Sequence, residues 1–244
     1  MENLNAKLYS NEILEDWQNR KHLIEAEKHL ISKYLLNKSN SILEAGTGGG
    51  RISFELEELV FNNIQAFDYI PEMIDHAKKR VIETKSSIQF DVLDATNLTK
   101  YEDNSFDYAI YLQQVLCFIS DENAFKNALK ESYRVTKPKG LVIYSFLDMD
   151  SRPYNGTLSF IVNFLRLLRG EKRQKQHLPW LKINNKFNYK LLFKNQPTNY
   201  WVKKEDILLE LEKIGFEIIE ANNTNQLFNK TSDRKGMLYV VCQK

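Results

Sequence analysis

The chain is poor in several residue types that would define a class. It has two cysteines, Cys117 and Cys242, in 244 residues. They lie far apart and form no C-x-x-C pair, which excludes a disulfide scaffold and fits a reducing compartment. No apolar run approaches the roughly 18 residues of a membrane span. The longest, Leu158 to Leu168, is interrupted by Ser159, Asn163 and Arg166. The first residues, MENLNAKLYSNEILEDW, are acidic early and lack an apolar core, so no secretory leader is expected and a cytoplasmic location is. Net charge is only +2. With 12% aromatic residues, that balance excludes disorder as the main state.

The near-neutral total hides an asymmetry. Residues 151–200 hold ten Lys or Arg and a single acid, Glu171, so the remainder is net acidic. The same segment carries eight aromatics, among them Phe160, Phe164, Trp180 and Tyr200.

Hydrophobic periodicity organises the rest. Residues 12–37 have helical spacing. Ser41 to Ala45 predicts a strand, Gly46 to Gly50 a tight turn, and Arg51 to about Val60 a helix. The plan repeats: a strand at 64–68, a helix opened by Pro71, and a third strand at 87–92. Asp103-Asn104-Ser105 predicts a turn and residues 106–112 a buried strand. Asp121 to Val135 predicts a helix capped by Ser120 or Asp121. Pro138-Lys139-Gly140 predicts a turn before a strand at 141–147. The rhythm then breaks for some 50 residues. It resumes with a helix at 204–214 stopped by Gly215, a strand at 216–220 and a last strand at 237–242. Alternating strands and helices predict an α/β fold with a parallel sheet covered on both faces. The last two strands have no helix between them, so the final one should run antiparallel.

The turn Glu44-Ala45-Gly46-Thr47-Gly48-Gly49-Gly50 is the most informative stretch. A dinucleotide fingerprint would place its third glycine at position 51, which is Arg; a P-loop would need Gly-Lys-Ser/Thr, which is missing. Glu44 at the turn would repel a pyrophosphate and suit a cationic amino group.

In this pattern ILEAGTGGGR resembles motif I of the class I S-adenosylmethionine-dependent methyltransferases. Five further stretches resemble that family's motifs in register: FDYIPEMIDHAKKR, QFDVLDATNL, DNSFDYAIYLQQVL, LKESYRVTKPKGLVIYSF and EDILLELEKIGFEIIEA. LKESYRVTKPKGLVIYSF usually carries Pro-Gly-Gly, where this chain has Lys139 in the middle. The resemblance implies a Rossmann-like, mostly parallel seven-stranded sheet with an antiparallel last strand. It implies one domain over 1–244, with cap helices in 1–40, a cofactor core in 41–147 and 201–244, and a helical substrate lid in 148–200.

It also implies S-adenosyl-L-methionine as cofactor, leaving as S-adenosyl-L-homocysteine, and assigns the residues. Glu44 would meet the amino group directly or through water, and Gly46 and Gly48 would make room for the methionine part. Asp68 would accept both ribose hydroxyls, unless it only caps the next helix. Tyr69 and Met73 would flank adenine, Met73 also serving as core. Asp94 would accept the adenine amino group beside Ala95, or cap the turn at 95–98. Gln113, or Gln114 with a longer strand, would line the methyl-transfer side.

Methyl transfer from a sulfonium depends mostly on alignment, so no catalytic triad is expected. Among the four histidines, His177 in the basic segment is the candidate base. Asp148 and Asp150 follow strand five, yet strand four ends in Gln113-Gln114, so no metal is expected. Cys117 lacks the preceding proline of a cytosine-C5 enzyme and is expected to pack as a small apolar group. Residues 158, 161, 162, 165 and 168 form an apolar helical stripe. With its basic, aromatic and amide residues the segment would close on a small-molecule or glycan-like acceptor of anionic character, with O-methylation favoured. The same composition also suits RNA or an anionic membrane surface, and a silent cofactor-binding scaffold is the reading outside catalysis.

Overall fold

The computed structural model describes residues 4–11, 15, 20–119, 121–152, 156–170, 176–179, 182–183, 186–187, 189–193, 198–231 and 236–244. Among the described residues α1 (Leu4–Asn11) and α2 (Glu25–Tyr34) come first, and Glu15 between them is helical. Residues 20–24 are not helical. The long helix expected over 12–37 is therefore shorter, its residues 12–14 and 16–19 lying outside the described ones. His22, placed on a helix by its spacing, instead sits ahead of α2 with φ +63°.

The first half of the sheet comes from β1 (Ile42–Ala45), β2 (Ile64–Asp68), β3 (Gln89–Val92) and β4 (Phe106–Tyr111), with α3 (Arg51–Glu58) and α4 (Pro71–Thr84) between them. A 3-10 turn (Val115–Phe118) leads to α5 (Glu122–Val135), capped by Asp121, which accepts the Ala124 N–H at 2.8 Å. Then comes the long β5 (Thr136–Asp148). The excursion after it holds α6 (Gly156–Leu168), β6 (His177–Pro179), the two-residue strands β7 (Lys182–Ile183) and β8 (Lys186–Phe187), and β9 (Thr198–Val202). The chain closes through α7 (Lys204–Ile214), β10 (Glu217–Asn223), α8 (Thr224–Leu227) and β11 (Leu238–Gln243).

The main sheet runs β10-β11-β5-β4-β1-β2-β3. Pairings from β3 to β5 are parallel, whereas β11 is antiparallel to both neighbours. This is the expected class I methyltransferase-like α/β topology. β9 joins the far end of β5, with Leu147 opposite Trp201 and Asp148 opposite Val202, and β6 pairs outside β9.

The central parallel strands β1 and β4 are buried almost throughout, whereas the edge strand β3 exposes Gln89 and Val92. Leu43, Tyr111 and Tyr144 point into one core with Phe125 and Leu129 of α5 and Leu211 of α7. Ile42, Ile110 and Ile143 point into the other, with Leu30 and Ile31 of α2, Leu56 of α3 and Ile74 of α4. Cys117 and Cys242 are both buried thiols.

Pro138-Lys139-Gly140 departs from expectation. It is not a turn ahead of a strand but part of β5, whose Thr136 already pairs with Phe106. Lys139 takes φ +65° and the register shifts there, a bulge that absorbs the kink while pairing continues.

Candidate active site

A cleft of about 290 Å³ opens at the carboxyl ends of β1, β2, β3 and β4. Open α/β sheets bind ligands at this edge. Its floor is the glycine turn. The Thr47 N–H bonds the Phe67 carbonyl at 3.0 Å, tying the turn to β2. Gly46 holds φ +64°, and a Cβ there would lie 2.3 Å from Val115 Cγ1, so only glycine lets the 3-10 turn lie against it.

Asp68 ends β2 with both oxygens engaged. Oδ2 accepts the Gly48 N–H at 2.8 Å and Oδ1 the Ile70 N–H at 2.9 Å. Burial raises its pKa, and those N–H groups oppose the rise. Asp68 thus fixes the mouth of the glycine turn to the start of α4 and still lines the cleft.

Gly46, Gly48, Asp68, Tyr69, Met73, Asp94, Ala95 and Gln113 all line this one cleft. Met73 is buried as well, serving core and cleft together. Asp94 does cap its own turn: Oδ1 accepts from Thr96 N at 2.8 Å, and its carbonyl from Asn97 N at 2.9 Å. Between the two glutamines, Gln113 faces the cleft. Gln114 turns away, its N–H on Ser145 Oγ at 2.8 Å.

Glu44 is not in the cleft wall. It is buried beneath the turn, where its Oε2 accepts the hydroxyls of Thr47, at 2.8 Å, and of Ser53. Burial pushes its pKa up to about 7, against the pull of Ser53, Thr47 and Arg51.

His177 lies on β6 opposite Tyr200 of β9, and its imidazole is outside the described side chains. Asp148 caps a short 3-10 turn, accepting Asp150 N at 3.0 Å and Ser151 Oγ at 3.0 Å. Among the described residues no group of three His, Cys, Asp or Glu is placed to hold a metal ion.

Several site residues carry no sequence signal. Asn5 of α1 lines the cleft and is buried. Its Nδ2 donates to the Phe118 carbonyl at 2.5 Å and the Thr198 carbonyl at 2.9 Å, and its Oδ1 accepts Thr198 N at 3.2 Å. One amide thus joins α1, the 3-10 turn and β9. Glu27 of α2, fully buried, takes a forked bond from Arg51 and accepts Gln113 Nε2 at 2.6 Å. Asp121 was visible as a helix cap, not as a cleft residue.

The cleft thus has a glycine turn below it and an acid, Asp68, at the end of β2. Residues 43–144 match the family described as a methyltransferase domain. This part of the chain is a class I S-adenosylmethionine-dependent methyltransferase domain, and S-adenosylmethionine is the cofactor of that class. The chain is 30% identical over 122 residues to phosphoethanolamine N-methyltransferase 1 of Arabidopsis thaliana, covering 50% of this chain and 24% of that protein. It is 33% identical over 123 residues to the ubiquinone/menaquinone biosynthesis C-methyltransferase UbiE of Rickettsia felis, covering 48% of each. The chain therefore spans between a quarter and a half of the length of these curated relatives. The crystal structure of the PH0226 protein from Pyrococcus horikoshii OT3 shares the fold, with a TM-score of 0.66, 20% identity, and 97% and 98% of the two chains covered. Among the described residues no helix is long and apolar enough to cross a membrane.

Proposed function

We propose that the protein transfers a methyl group from S-adenosylmethionine to an oxygen of a small or glycan-like acceptor of anionic character. The observation that carries the cofactor half is Asp68. Its oxygens accept the Gly48 and Ile70 N–H groups, and the carboxylate keeps acceptor capacity for the ribose hydroxyls. Met73 and Ala95 border the adenine slot, and Asp94 accepts the exocyclic amine. Gly46 and Gly48 pass the methionine chain toward Gln113. Glu44 balances the ammonium from below the turn.

The acceptor half is supported by charge and connectivity. The segment 151–200 is strongly basic, and its strand β9 is bonded to Asn5 at the cleft. Phosphoethanolamine, named for one relative, carries an anionic group of the kind lysines would hold. His177 is our candidate to take the proton of a hydroxyl acceptor.

Calorimetric titration with S-adenosylmethionine and S-adenosylhomocysteine tests the reading. Wild type should bind both, and Asp68→Ala should weaken binding tenfold or more, about 1.4 kcal/mol. No binding of either by folded wild-type protein would remove the methyltransferase reading. Binding without effect of Asp68→Ala would remove the ribose contact.

A further inference from the structure

Helix α6 has two apolar sides. Val162 is buried, and Leu158 and Leu165 are half-buried against the protein. On the other side Phe160 and Leu167 are each 71% exposed and Leu168 67%, with Ile161 and Phe164 also exposed. At 100° per residue these five side chains fall within an arc of about 120°. The Phe160 and Phe164 rings stack, their centroids 6.3 Å apart. The nearby 3-10 turn Tyr189–Phe193 adds exposed Tyr189 and Phe193. Arg169 at the end of α6 donates to the Leu192 carbonyl, joining that turn to the helix. Contiguous exposed apolar groups of this size mark an interaction surface.

Charge decides among the partners. The segment bearing this face has ten basic residues and one acid. A symmetric dimer through it would bring two copies of this net positive segment together. A helix of 13 residues is about 20 Å long, short of the roughly 30 Å of a bilayer core, so it does not span. Aromatic and aliphatic groups on one side of a short helix, within a cationic segment, suit the headgroup boundary of an anionic membrane.

We propose that the outer face of α6 docks the protein on an anionic lipid surface, with Phe160, Phe164, Leu167 and Leu168 inserting and the net positive charge of the 151–200 sequence favouring anionic headgroups. α6 follows the carboxyl end of β5, at the edge of the sheet that holds the cleft. The proposal stands apart from the acceptor reading, because vesicle binding is read without methyl transfer.

Flotation with phosphatidylcholine vesicles, with and without phosphatidylglycerol, tests it on the full chain. Wild type should float with the anionic vesicles, at least tenfold more than with neutral ones, and high salt should reduce binding. The double variant Phe160→Ser with Phe164→Ser, at two exposed positions, should lose at least tenfold while keeping its thermal midpoint and its affinity for S-adenosylhomocysteine. Lys172→Glu with Arg173→Glu should weaken the anionic preference. Failure of wild type to float, equal flotation with both vesicles, or equal flotation of wild type and the serine variant would overturn the proposal. So would a concentration-dependent dimer abolished by the serine variant without vesicle binding, which would make the face a contact between copies.

Discussion

Glu27 and Arg51 form a forked ion pair inside the protein, with Nη1–Oε2 at 2.6 Å and Nη2–Oε1 at 2.7 Å. Both side chains are buried. Arg51 is the first residue of α3, immediately after the glycine turn, and also donates to the His22 carbonyl at 2.9 Å. The pair therefore locks α2 onto the turn that floors the cleft. Removing one member strands the other charge in a low-dielectric interior. Glu27→Leu or Arg51→Met alone should cost about 3–5 kcal/mol, and the double variant much less than the sum. Urea unfolding of the four proteins would show this; additive losses would mean that the two charges act independently.

Glu44 gives stability a pH dependence of unusual sign. Its carboxyl holds its proton up to about 7 in the folded state and releases it near the ordinary carboxylate value of 4.5 when unfolded. Between those values the folded state binds more protons, so this group's contribution falls as pH rises, by about 3 kcal/mol in all. Glu44→Gln should flatten stability between pH 5 and 7. A wild type whose stability rises across that window in step with the variant would contradict the assignment. An ammonium held above Glu44 favours its ionised form, so S-adenosylmethionine should bind more tightly above pH 7 than below, and the variant should lose that trend.

Gly46 has no room for a side chain. Gly46→Ala would drive a methyl into Val115 and force φ +64° on an alanine, a strain of about 1–3 kcal/mol. Cofactor affinity should fall at least tenfold, and adding Val115→Ala should restore part of it. The restoration is the decisive readout: a purely conformational cost at φ +64° would leave none.

Burial pushes the Cys117 thiol up to about 12 and the Cys242 thiol higher still. Neither supplies thiolate at neutral pH, and neither is accessible. Ellman's reagent at pH 8 should titrate no thiol in the native protein and two in denaturant. A thiol reactive in the native state would contradict the burial of Cys117 and Cys242.

Much of this architecture could be read from the chain because it is local. The glycine turn, Asp68 at a strand's end, Pro71 opening a helix and Gly215 closing one are all specified by neighbouring residues. The remainder depends on contacts between distant residues. Nothing near Asn5 announces its bonds to Phe118 and Thr198, and Arg51, legible as a missing third glycine, gains its meaning only from Glu27. Lys139 belongs to β5 because Thr136 finds Phe106 across the sheet. α6 misled for another reason: Leu158, Ile161, Val162, Leu165 and Leu168 look like one stripe, yet the apolar residues cover more than half of the helix's circumference. The fold buries Val162, half-buries Leu158 and Leu165, and leaves Ile161 and Leu168 outside with Phe160, Phe164 and Leu167.

The pairing of Leu147 with Trp201 and Asp148 with Val202 brings the two ends of the intervening excursion within one strand spacing, about 4.8 Å. Everything between departs from and returns to the same point of the sheet. Changes of length within such an excursion cost little in chain entropy and leave the pairing of β1 to β5 beneath the cleft in place.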